Sequence, residues 1–206
     1  MKIDPARLGT RDAYRLFVSV VTPRPIAWVS TVDRRGINNL APFSMYTLLS
    51  SVPAVLGFGV GAYRGGQKKD TLRNVEATKE FVINIVTEDL AEAMNVTAAP
   101  FPPEVSEFDK AGLTPVRSEL VAPARVGQSP ISMECRALQI LQFGSEPMVN
   151  SFVIGKVLLI HVNDELWHGG ALDSSRLKTI GRLGGGTDLY CRTTDTFEMK
   201  RPELGV

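Results

Sequence analysis

Hydrophobic side chains along the chain follow two different periods, and each period predicts a different kind of element. Over the first twenty residues they recur every three or four positions, which predicts a short helix. The positions are Tyr14, Phe17, Val18 and Val21. This helix is expected to end at residues 22–25, because the two prolines there cannot continue helical hydrogen bonding. Further helices are predicted over 70–79, with Asp70 or Thr71 as N-cap, and over 88–95.

Other segments are rich in β-branched and aromatic residues, which predicts strands. They cover residues 26–32, 37–45, 54–60, 81–86, 131–143 and 151–162. A turn at 33–36 joins the first two into a hairpin in which Ser30 is expected to face Asn39. Pro42 has no N–H to donate, so it is expected at a sheet edge or a bulge. Because strands dominate and turns are closely spaced, the pattern predicts a mainly β fold, a closed or partly closed antiparallel barrel with peripheral helices.

The stretch from about residue 97 to 126 predicts little regular structure and carries five of the thirteen prolines. An irregular loop of this length inside a domain is usually functional or covers another part of the fold. The strands predicted after it continue the same sheet rather than begin a new core. The chain is therefore expected to form a single domain over residues 1–206.

Composition and charge narrow the function classes. Of the 206 residues, 44% are apolar and 22% are charged, which is typical of a globular protein and excludes a disordered chain. The 23 Lys and Arg residues nearly balance the 22 Asp and Glu residues, so no overall field favours nucleic acid or an acidic membrane. No apolar run is long enough to span a bilayer, and no signal peptide is expected. Cys135 and Cys191 cannot form a disulfide framework, which favours reduced thiols in the cytoplasm.

Two lysines, Lys68 and Lys69, stand directly before the helix predicted at 70–79. The helix dipole makes a cation unfavourable there unless an anion is bound. Free backbone N–H groups, the Thr71 hydroxyl and a lysine ammonium together suit a phosphate group. The alternative is that both lysines simply point into solvent, where exposed charges cost little.

The predicted hairpin contains polar side chains among apolar neighbours, namely Ser30, Asn39 and Ser44. Buried polar groups need hydrogen-bond partners. These side chains either satisfy one another across the strands or bind a planar polar ligand, with Trp28 supplying apolar surface.

His161 ends a strongly apolar strand, where a histidine is either a satisfied rim residue or a proton donor beside a cofactor. No metal site is predicted, because the two histidines and two cysteines are scattered along the chain. Residues 57–62 match the pattern G-x-G-x-x-A, but no amphipathic helix follows directly, so a dinucleotide-binding unit is not expected.

Four segments, taken in order, resemble the flavin reductase-like family, with its FMN-binding split-barrel domain and its flavoredoxin-type members. They are TPRPIAWVST at 22–31, NLAPFS at 39–44, KDTLRN at 69–74 and EFVIN at 80–84. The downstream segments FDKAGL at 108–113 and GRLGG at 181–185 are also similar to that family. The resemblance covers nearly the whole chain. It implies a six-stranded antiparallel split β-barrel that forms a homodimer and binds FMN along one side.

The resemblance also implies roles for individual residues. Ser30, Asn39 and Ser44 would line the flavin and its ribityl chain, while Trp28, Ala41 and Pro42 would shape the wall of the site. The ribityl–phosphate end would be held by Lys69, Asp70 and Thr71. Arg24, Arg182 and Tyr190 would approach the cofactor or the partner subunit. His161 is the candidate catalytic residue near the nicotinamide.

The first function hypothesis is an FMN-dependent oxidoreductase in which NAD(P)H reduces the flavin. The electrons would then pass to free flavin, oxygen, a metal complex or a protein acceptor. The second hypothesis is a flavin-binding electron carrier that a partner protein reduces, and the third is a dimeric binding module without flavin. Steady-state NAD(P)H oxidation distinguishes the first from the second, and flavin retention distinguishes both from the third.

Overall fold

The computed structural model describes residues 1–61, 67–184 and 187–202. Four α-helices lie within these ranges: α1 (Thr10–Val20), α2 (Asp70–Thr78), α3 (Ala91–Val96) and α4 (Glu107–Lys110). Short 3-10 helices cover Pro5–Arg7, Glu88–Leu90 and Asp164–Leu166. The strands in these ranges are β1 (Arg24–Pro25), β2 (Ala27–Val32), β3 (Asn38–Phe43), β4 (Tyr46–Ser51), β5 (Ala54–Val60), β6 (Glu80–Ile85), β7 (Pro115–Val116), β8 (Arg125–Val126), β9 (Ile131–Phe143), β10 (Asn150–Val162), β11 (Trp167–His168), β12 (Ala171–Leu172), β13 (Ile180–Arg182) and β14 (Tyr190–Arg192).

The main sheet has seven antiparallel strands in the order β3-β2-β6-β9-β10-β5-β4. It is open, with β3 and β4 as its two edges, so the prediction of a mainly β, partly closed barrel is confirmed. The expected strand count of six is one too low. The sequence predicts one strand over 37–45. In the structure β3 ends at Phe43, and a separate strand, β4, begins at Tyr46. Pro42 lies in edge strand β3, where its missing N–H costs the sheet nothing.

The inside of the barrel is an apolar core closed at one end by α2. It contains twelve buried side chains, among which Phe58 packs against the rings of Phe43 and Phe81 at centroid distances of 5.3 Å. Alternate residues of β2 point into this core, as the period of two requires. The other members are Ala27, Val29, Leu56, Val60, Leu72, Val75, Ile83, Cys135 and Val153.

A second apolar layer lies on the outer face of β2, β3 and β6. The segment from α3 to β8 crosses this face, and Met94, Phe108 and Val126 from it pack against Trp28 and Leu40. The irregular, proline-rich segment therefore covers the sheet. Side chains of the sheet accept some of its backbone N–H groups, with Glu134 bonding to Glu119 and Leu120 and Asn84 bonding to Val126.

The β2–β3 hairpin has a register that differs by one residue from the prediction. Ser30 pairs with Leu40, and Asn39 pairs with Thr31. The predicted turn at 33–36 would place Val32 opposite Ile37, but the loop closes between Asp33 and Ile37, whose backbone N and O atoms lie 3.0 Å apart. Gly36 takes a φ of 87°, which makes this shorter three-residue turn possible without strain.

The glycines of the segment 57–61 serve packing within the barrel. Gly57 and Gly59 lie inside β5 rather than at a strand-to-helix turn. A Cβ on Gly57 would overlap the ring of Phe152, and one on Gly59 would crowd Met45. These two glycines therefore serve packing inside a strand rather than a dinucleotide-binding turn. Residue 62, the last of the pattern, lies outside the described residues. Within the described ranges, no helix is both long and apolar enough to cross a membrane.

Candidate functional site

Helix α2 begins beside edge strand β3 without a side-chain cap. Its N-cap is Lys69, which has extended backbone angles and makes no capping side-chain hydrogen bond. The prediction of Asp70 or Thr71 as N-cap is wrong because both side chains are engaged elsewhere. The Asp70 carboxylate pairs with Arg73, and the Thr71 hydroxyl donates to Asn39 Oδ1 at 2.9 Å. The first N–H groups of the helix have no intrahelical acceptor, so this end carries partial positive charge.

The two lysines before α2 have different environments. Lys68 Nζ lies 2.7 Å from Glu76 Oε1 on the surface, so its charge is already paired. Lys69 is half-buried, and its Nζ lies 5.4 Å from the centroid of the Phe43 ring. Burial lowers the pKa of Lys69, because a desolvated ammonium is less stable. A cation placed at a helix N-terminus and partly removed from water is stabilised by a bound anion.

Asn39 joins β3 to α2 through a buried polar network. Its Oδ1 accepts hydrogen bonds from the hydroxyls of Thr71 and Thr31, at 2.9 and 3.2 Å. Its Nδ2 donates to Glu107 Oε1 at 2.9 Å. The side chains of Asn39 and Thr71 are thus engaged within the protein and fix the helix N-terminus against the strand. What Thr71 offers a ligand is its backbone N–H in the first turn of α2.

Glu107 is a buried member of this network that sequence reasoning missed. It is 5% exposed, and its Oε2 accepts the backbone N–H of Leu40 at 2.9 Å. Burial raises the pKa of Glu107 by more than the hydrogen bond from Leu40 lowers it. A single glutamate in a proline-rich stretch gives no periodic signal, so only the folded structure identifies it.

The other end of β3 borders a cleft of about 300 Å³. Pro42 and Ser44 line one side, and Arg182 and Tyr190 line the other. The Arg182 guanidinium lies 4.6 Å from the centroid of the Tyr190 ring, and its Nη2 lies 2.9 Å from Asp188 Oδ1. The remaining lining residues are Tyr14, Ile26, Met94, Asn95, Ala98 and Asp188. The cleft offers ring and proline surfaces together with one cation, which suits a flat polar ligand.

Ala41 lies between these two ends of β3. It is half-buried and packs against the inner apolar core. As β3 is an edge strand, alternate backbone N–H and C=O groups on its outer side are not used by the sheet. Because Asn39 and Ser44 are five residues apart, the helix end and the cleft are separated by about 16 Å of extended chain at ~3.3 Å per residue.

Arg24 was expected to approach the cofactor, and the structure places its donors elsewhere. The residue is 6% exposed. Its Nη1 donates to the carbonyl oxygens of Val18 and Val21, and its Nη2 to that of Leu183. The guanidinium is thus engaged by backbone carbonyls and Ser44 rather than turned toward a ligand, and its contact with the partner subunit stays a prediction.

Trp28 and Ser30 lie under the covering segment, and both are fully buried. Trp28 Nε1 donates to Thr97 Oγ1 at 2.9 Å, and Ser30 Oγ donates to the Ala124 carbonyl at 2.5 Å. The expectation that these side chains line the ligand site is therefore wrong. They point away from the barrel interior, toward the outer apolar layer, and the segment over them satisfies their polar atoms.

His161 is not brought next to the β3 cluster. It lies on β10, four strands away from β3 in the sheet order. Its Nε2 is 2.6 Å from Glu134 Oε1, and the Glu134 carboxylate also accepts the N–H groups of Glu119 and Leu120 at 2.8 and 2.6 Å. Burial raises the pKa of Glu134, but the hydrogen bonds from Glu119 and His161 lower it by more. His161 and Glu134 thus anchor the covering segment to β9 and β10.

The structure therefore divides the predicted site residues into three groups. Asn39, Ala41, Lys69, Asp70 and Thr71 lie together at the α2 end of β3. Pro42, Ser44 and Arg182 line the cleft at its other end. Arg24, Trp28, Ser30 and His161 belong to the supporting structure. Throughout the described ranges, no group of three or more His, Cys, Asp or Glu side chains is arranged to hold a metal ion.

Comparisons with known proteins show the family and the fold. A family model described as flavin reductase like domain matches residues 19–176. Nitrilotriacetate monooxygenase component B from Bacillus cereus has a similar structure, with a TM-score of 0.91 and 32% identity over 97% of this chain and 98% of that one. The 2-nitrobenzoate 2-nitroreductase of Pseudomonas fluorescens gives a TM-score of 0.86 and 29% identity over 98% and 96% of the two chains.

The split-barrel architecture is confirmed by a third solved structure. A protein from Shewanella frigidimarina, described as having a split barrel domain, gives a TM-score of 0.80 at 22% identity over 100% of both chains. At this identity the likeness concerns the fold alone.

Proposed function

The chain belongs to the flavin reductase-like family, and from that premise we propose that it is an FMN-dependent oxidoreductase that takes electrons from NAD(P)H. One observation carries the choice of a phosphorylated flavin. The uncapped N-terminus of α2 and the half-buried Lys69 ammonium form a site of positive potential beside the open edge of β3. A phosphate monoester is the anion that such a donor set suits.

The residues present fit FMN at both ends of β3. The first N–H groups of α2, including that of Thr71, would hold the phosphate, and Lys69 would supply the cation. Asp70, which pairs with Arg73, keeps that arginine on the helix surface. Asn39 holds the helix end at the strand, and Ala41 leaves room along the open edge. Pro42 and Ser44 would flank the ring end, opposite Arg182.

Bound FMN would supply the hydride and electron chemistry, and the protein the binding and orientation. The chain's own residues exclude water from one side of β3, and Glu107 occupies the Leu40 N–H on its outer edge. Arg182, stacked on Tyr190 and paired with Asp188, would offer guanidinium N–H donors to a reaction partner. No side chain of the cluster needs to act as a covalent catalyst.

The electron acceptor is proposed as a small molecule or a protein. The two more similar solved proteins are named as a monooxygenase component and a nitroreductase, which supports such acceptors for this chain. We do not assign His161 to the reaction, because its ring nitrogen bonds to Glu134.

The first experiment compares Lys69→Met with Lys68→Met. Loss of a charge-assisted hydrogen bond of about 1.5–3 kcal/mol should weaken FMN binding by about 10- to 150-fold in Lys69→Met. Lys68→Met is the matched control and should stay within about threefold of the wild type, because Lys68 is paired with Glu76. Flavin fluorescence titration measures both. Equal affinity of Lys69→Met and the wild type would reject the phosphate assignment.

The pH dependence of the same titration follows from Lys69. Its pKa is lowered by burial, and a bound phosphate would favour the charged form. The affinity for FMN should therefore be full above the second pKa of the phosphate, about 6, and fall as pH rises through the lowered pKa of Lys69. This alkaline loss should be absent from Lys69→Met.

Steady-state oxidation of NADH and NADPH tests the electron donor. An oxidoreductase of the proposed kind turns over with at least one of them and a suitable acceptor. A flavin-binding electron carrier would retain FMN and be slow with both. Binding without turnover would therefore replace the reductase by a carrier.

We further propose that the protein acts as a homodimer. Edge strand β4 exposes two apolar side chains: Leu48 is 65% exposed, and Leu49 is 48% exposed. A second copy covering this edge would remove apolar side chains from water and protect an open strand. Sedimentation equilibrium checks the mass.

The thiols of Cys135 and Cys191 are both free, as a reducing compartment requires, and we propose the cytoplasm as the place of action.

A further inference from the structure

Arg24 is a buried cation that connects three separate pieces of chain. Its Nη1 lies 2.5 Å from the Val18 carbonyl oxygen and 2.8 Å from that of Val21, at the end of α1. Its Nη2 lies 3.2 Å from the Leu183 carbonyl oxygen, and its Nε lies 3.4 Å from Ser44 Oγ. Within the described ranges no carboxylate pairs with it. The negative end of the α1 dipole and the carbonyl oxygens therefore carry the stabilisation of its charge.

Helix α1 has little else to hold it in place. Of its eleven residues, all of them in the described part of the chain, Val18 alone is buried. The last turn also rests on Gly184, where an added Cβ would overlap the Val18 carbonyl and the Ser19 backbone. The helix is thus attached mainly through its C-terminal backbone, by Arg24 on one side and by the close approach of Gly184 on the other.

The same three pieces of chain form walls of the cleft at the end of β3. Tyr14 comes from α1, Ser44 follows β3, and Arg182 directly precedes Leu183. A shift of α1 would move Tyr14, and a shift of the segment at 183 would move Arg182. The relative positions of these walls therefore depend on one guanidinium group.

We propose that Arg24 is a positioning residue for the proposed oxidoreductase. Arg24 fastens α1 and the segment at Leu183 to Ser44. It thereby holds Tyr14 and Arg182 around the electron-exchange cleft. The proposal rests on the proposed function for the identity of the cleft. Arg24 itself contacts no ligand. A lysine cannot replace it, because a single ammonium group cannot reach the same set of carbonyl oxygens from a planar fork.

The experiment compares two variants that loosen α1 from opposite sides. Arg24→Lys removes the fork but keeps the charge. Gly184→Ala keeps the guanidinium and instead displaces the Val18 carbonyl, the acceptor of Arg24 Nη1, from the other side. The matched controls are Arg15→Lys, on the exposed face of α1, and Gly61→Ala, directly after β5, where an added Cβ meets only Asn150 Oδ1 at 3.5 Å. Circular dichroism and thermal unfolding first establish that each variant is folded.

The direct readout is amide hydrogen exchange over residues 10–21 in the protein without added flavin. Loss of two or three hydrogen bonds should accelerate exchange there by about tenfold or more in both variants, and not in the controls. The kinetic readout is the KM for NAD(P)H, expected to rise by about tenfold while the FMN dissociation constant changes less than about threefold. A general loss of stability would raise both constants together.

Unchanged exchange over 10–21 in folded Arg24→Lys would overturn the proposal, as would faster exchange with an unchanged KM. Faster exchange with a raised KM in both variants, and with neither change in the controls, supports it. A wild-type protein that binds no flavin and oxidises no NAD(P)H fails the proposed function instead. In that case the exchange data still report whether Arg24 fastens α1, but its role at a cleft for electron exchange is rejected.

Discussion

Replacing Glu107 by alanine tests the network that fixes α2 against β3. The carboxylate accepts two hydrogen bonds, from Asn39 Nδ2 and from the Leu40 N–H, each at 2.9 Å. Both donors are buried or nearly so, and alanine offers no acceptor to either. The substitution therefore leaves two unpaired donors at the centre of the candidate site.

The magnitude follows from those two donors. An unsatisfied buried donor costs about 1–3 kcal/mol, which gives an upper range of about 2–6 kcal/mol for the pair. Two features of the structure reduce this. Glu107 borders a cleft of about 230 Å³ that can admit water, and the variant no longer buries a carboxylate. We expect Glu107→Ala to lower the free energy of unfolding by about 2–3 kcal/mol, or Tm by about 4–12 °C.

Urea unfolding followed by tryptophan fluorescence measures the change. Glu104→Ala is the matched control, because Glu104 lies in the same segment but is exposed, and it should change stability by less than about 0.5 kcal/mol. If Glu107→Ala is as stable as the control, the buried network does not hold the site together and the reasoning is wrong.

The pH dependence of Glu107 has a definite sign. Burial raises its pKa in the folded protein above the ordinary value of 4.5. The folded state then binds the proton more tightly than the unfolded state, so this carboxyl favours folding most at low pH. Its contribution decreases as pH rises from about 4.5 to the raised pKa. Glu107→Gln should remove this part of the pH dependence.

Two further predictions concern the barrel interior. Gly155→Ala should destabilise the protein by about 1–3 kcal/mol in the same urea assay, because the new Cβ would overlap the buried ring of Phe81, whereas Gly61→Ala, whose Cβ would meet only Asn150 Oδ1 at 3.5 Å, should be nearly neutral. In the native protein a thiol reagent should label Cys191 and leave Cys135 unlabelled until urea is added, since Cys135 is buried and burial raises its pKa. Native labelling of both thiols would contradict the packing of the barrel core.

Much of the fold follows from local pattern. The long runs at 131–143 and 151–162 have the composition of strands over their whole length, and β9 and β10 cover the same residues within one position. The helix over 70–79 and the lysines before it were also predictable, because cations at a helix N-terminus are a local electrostatic feature, whereas the lack of a side-chain cap was not predicted. The family resemblance rested on short segments whose order is a property of the sequence alone, and it is confirmed.

The errors arise where distant segments decide the outcome. The period of two places Trp28 and Ser30 on one face of β2, but it does not tell which face a later segment will cover. Thr97 and Ala124, which satisfy their polar atoms, are 69 and 94 residues away in the chain. The hairpin register depends on Gly36 adopting a positive φ, which composition allows but does not require.

The most direct test of the account compares FMN with riboflavin, which has the same ring and lacks the phosphate. Both are titrated against the wild-type protein at neutral pH, and the dissociation constants are read from flavin fluorescence. An anion site at Lys69 and the α2 N-terminus predicts that FMN binds at least about tenfold more tightly, a difference of about 1.4 kcal/mol or more. Equal affinities, or no binding of either flavin, would contradict the central claim.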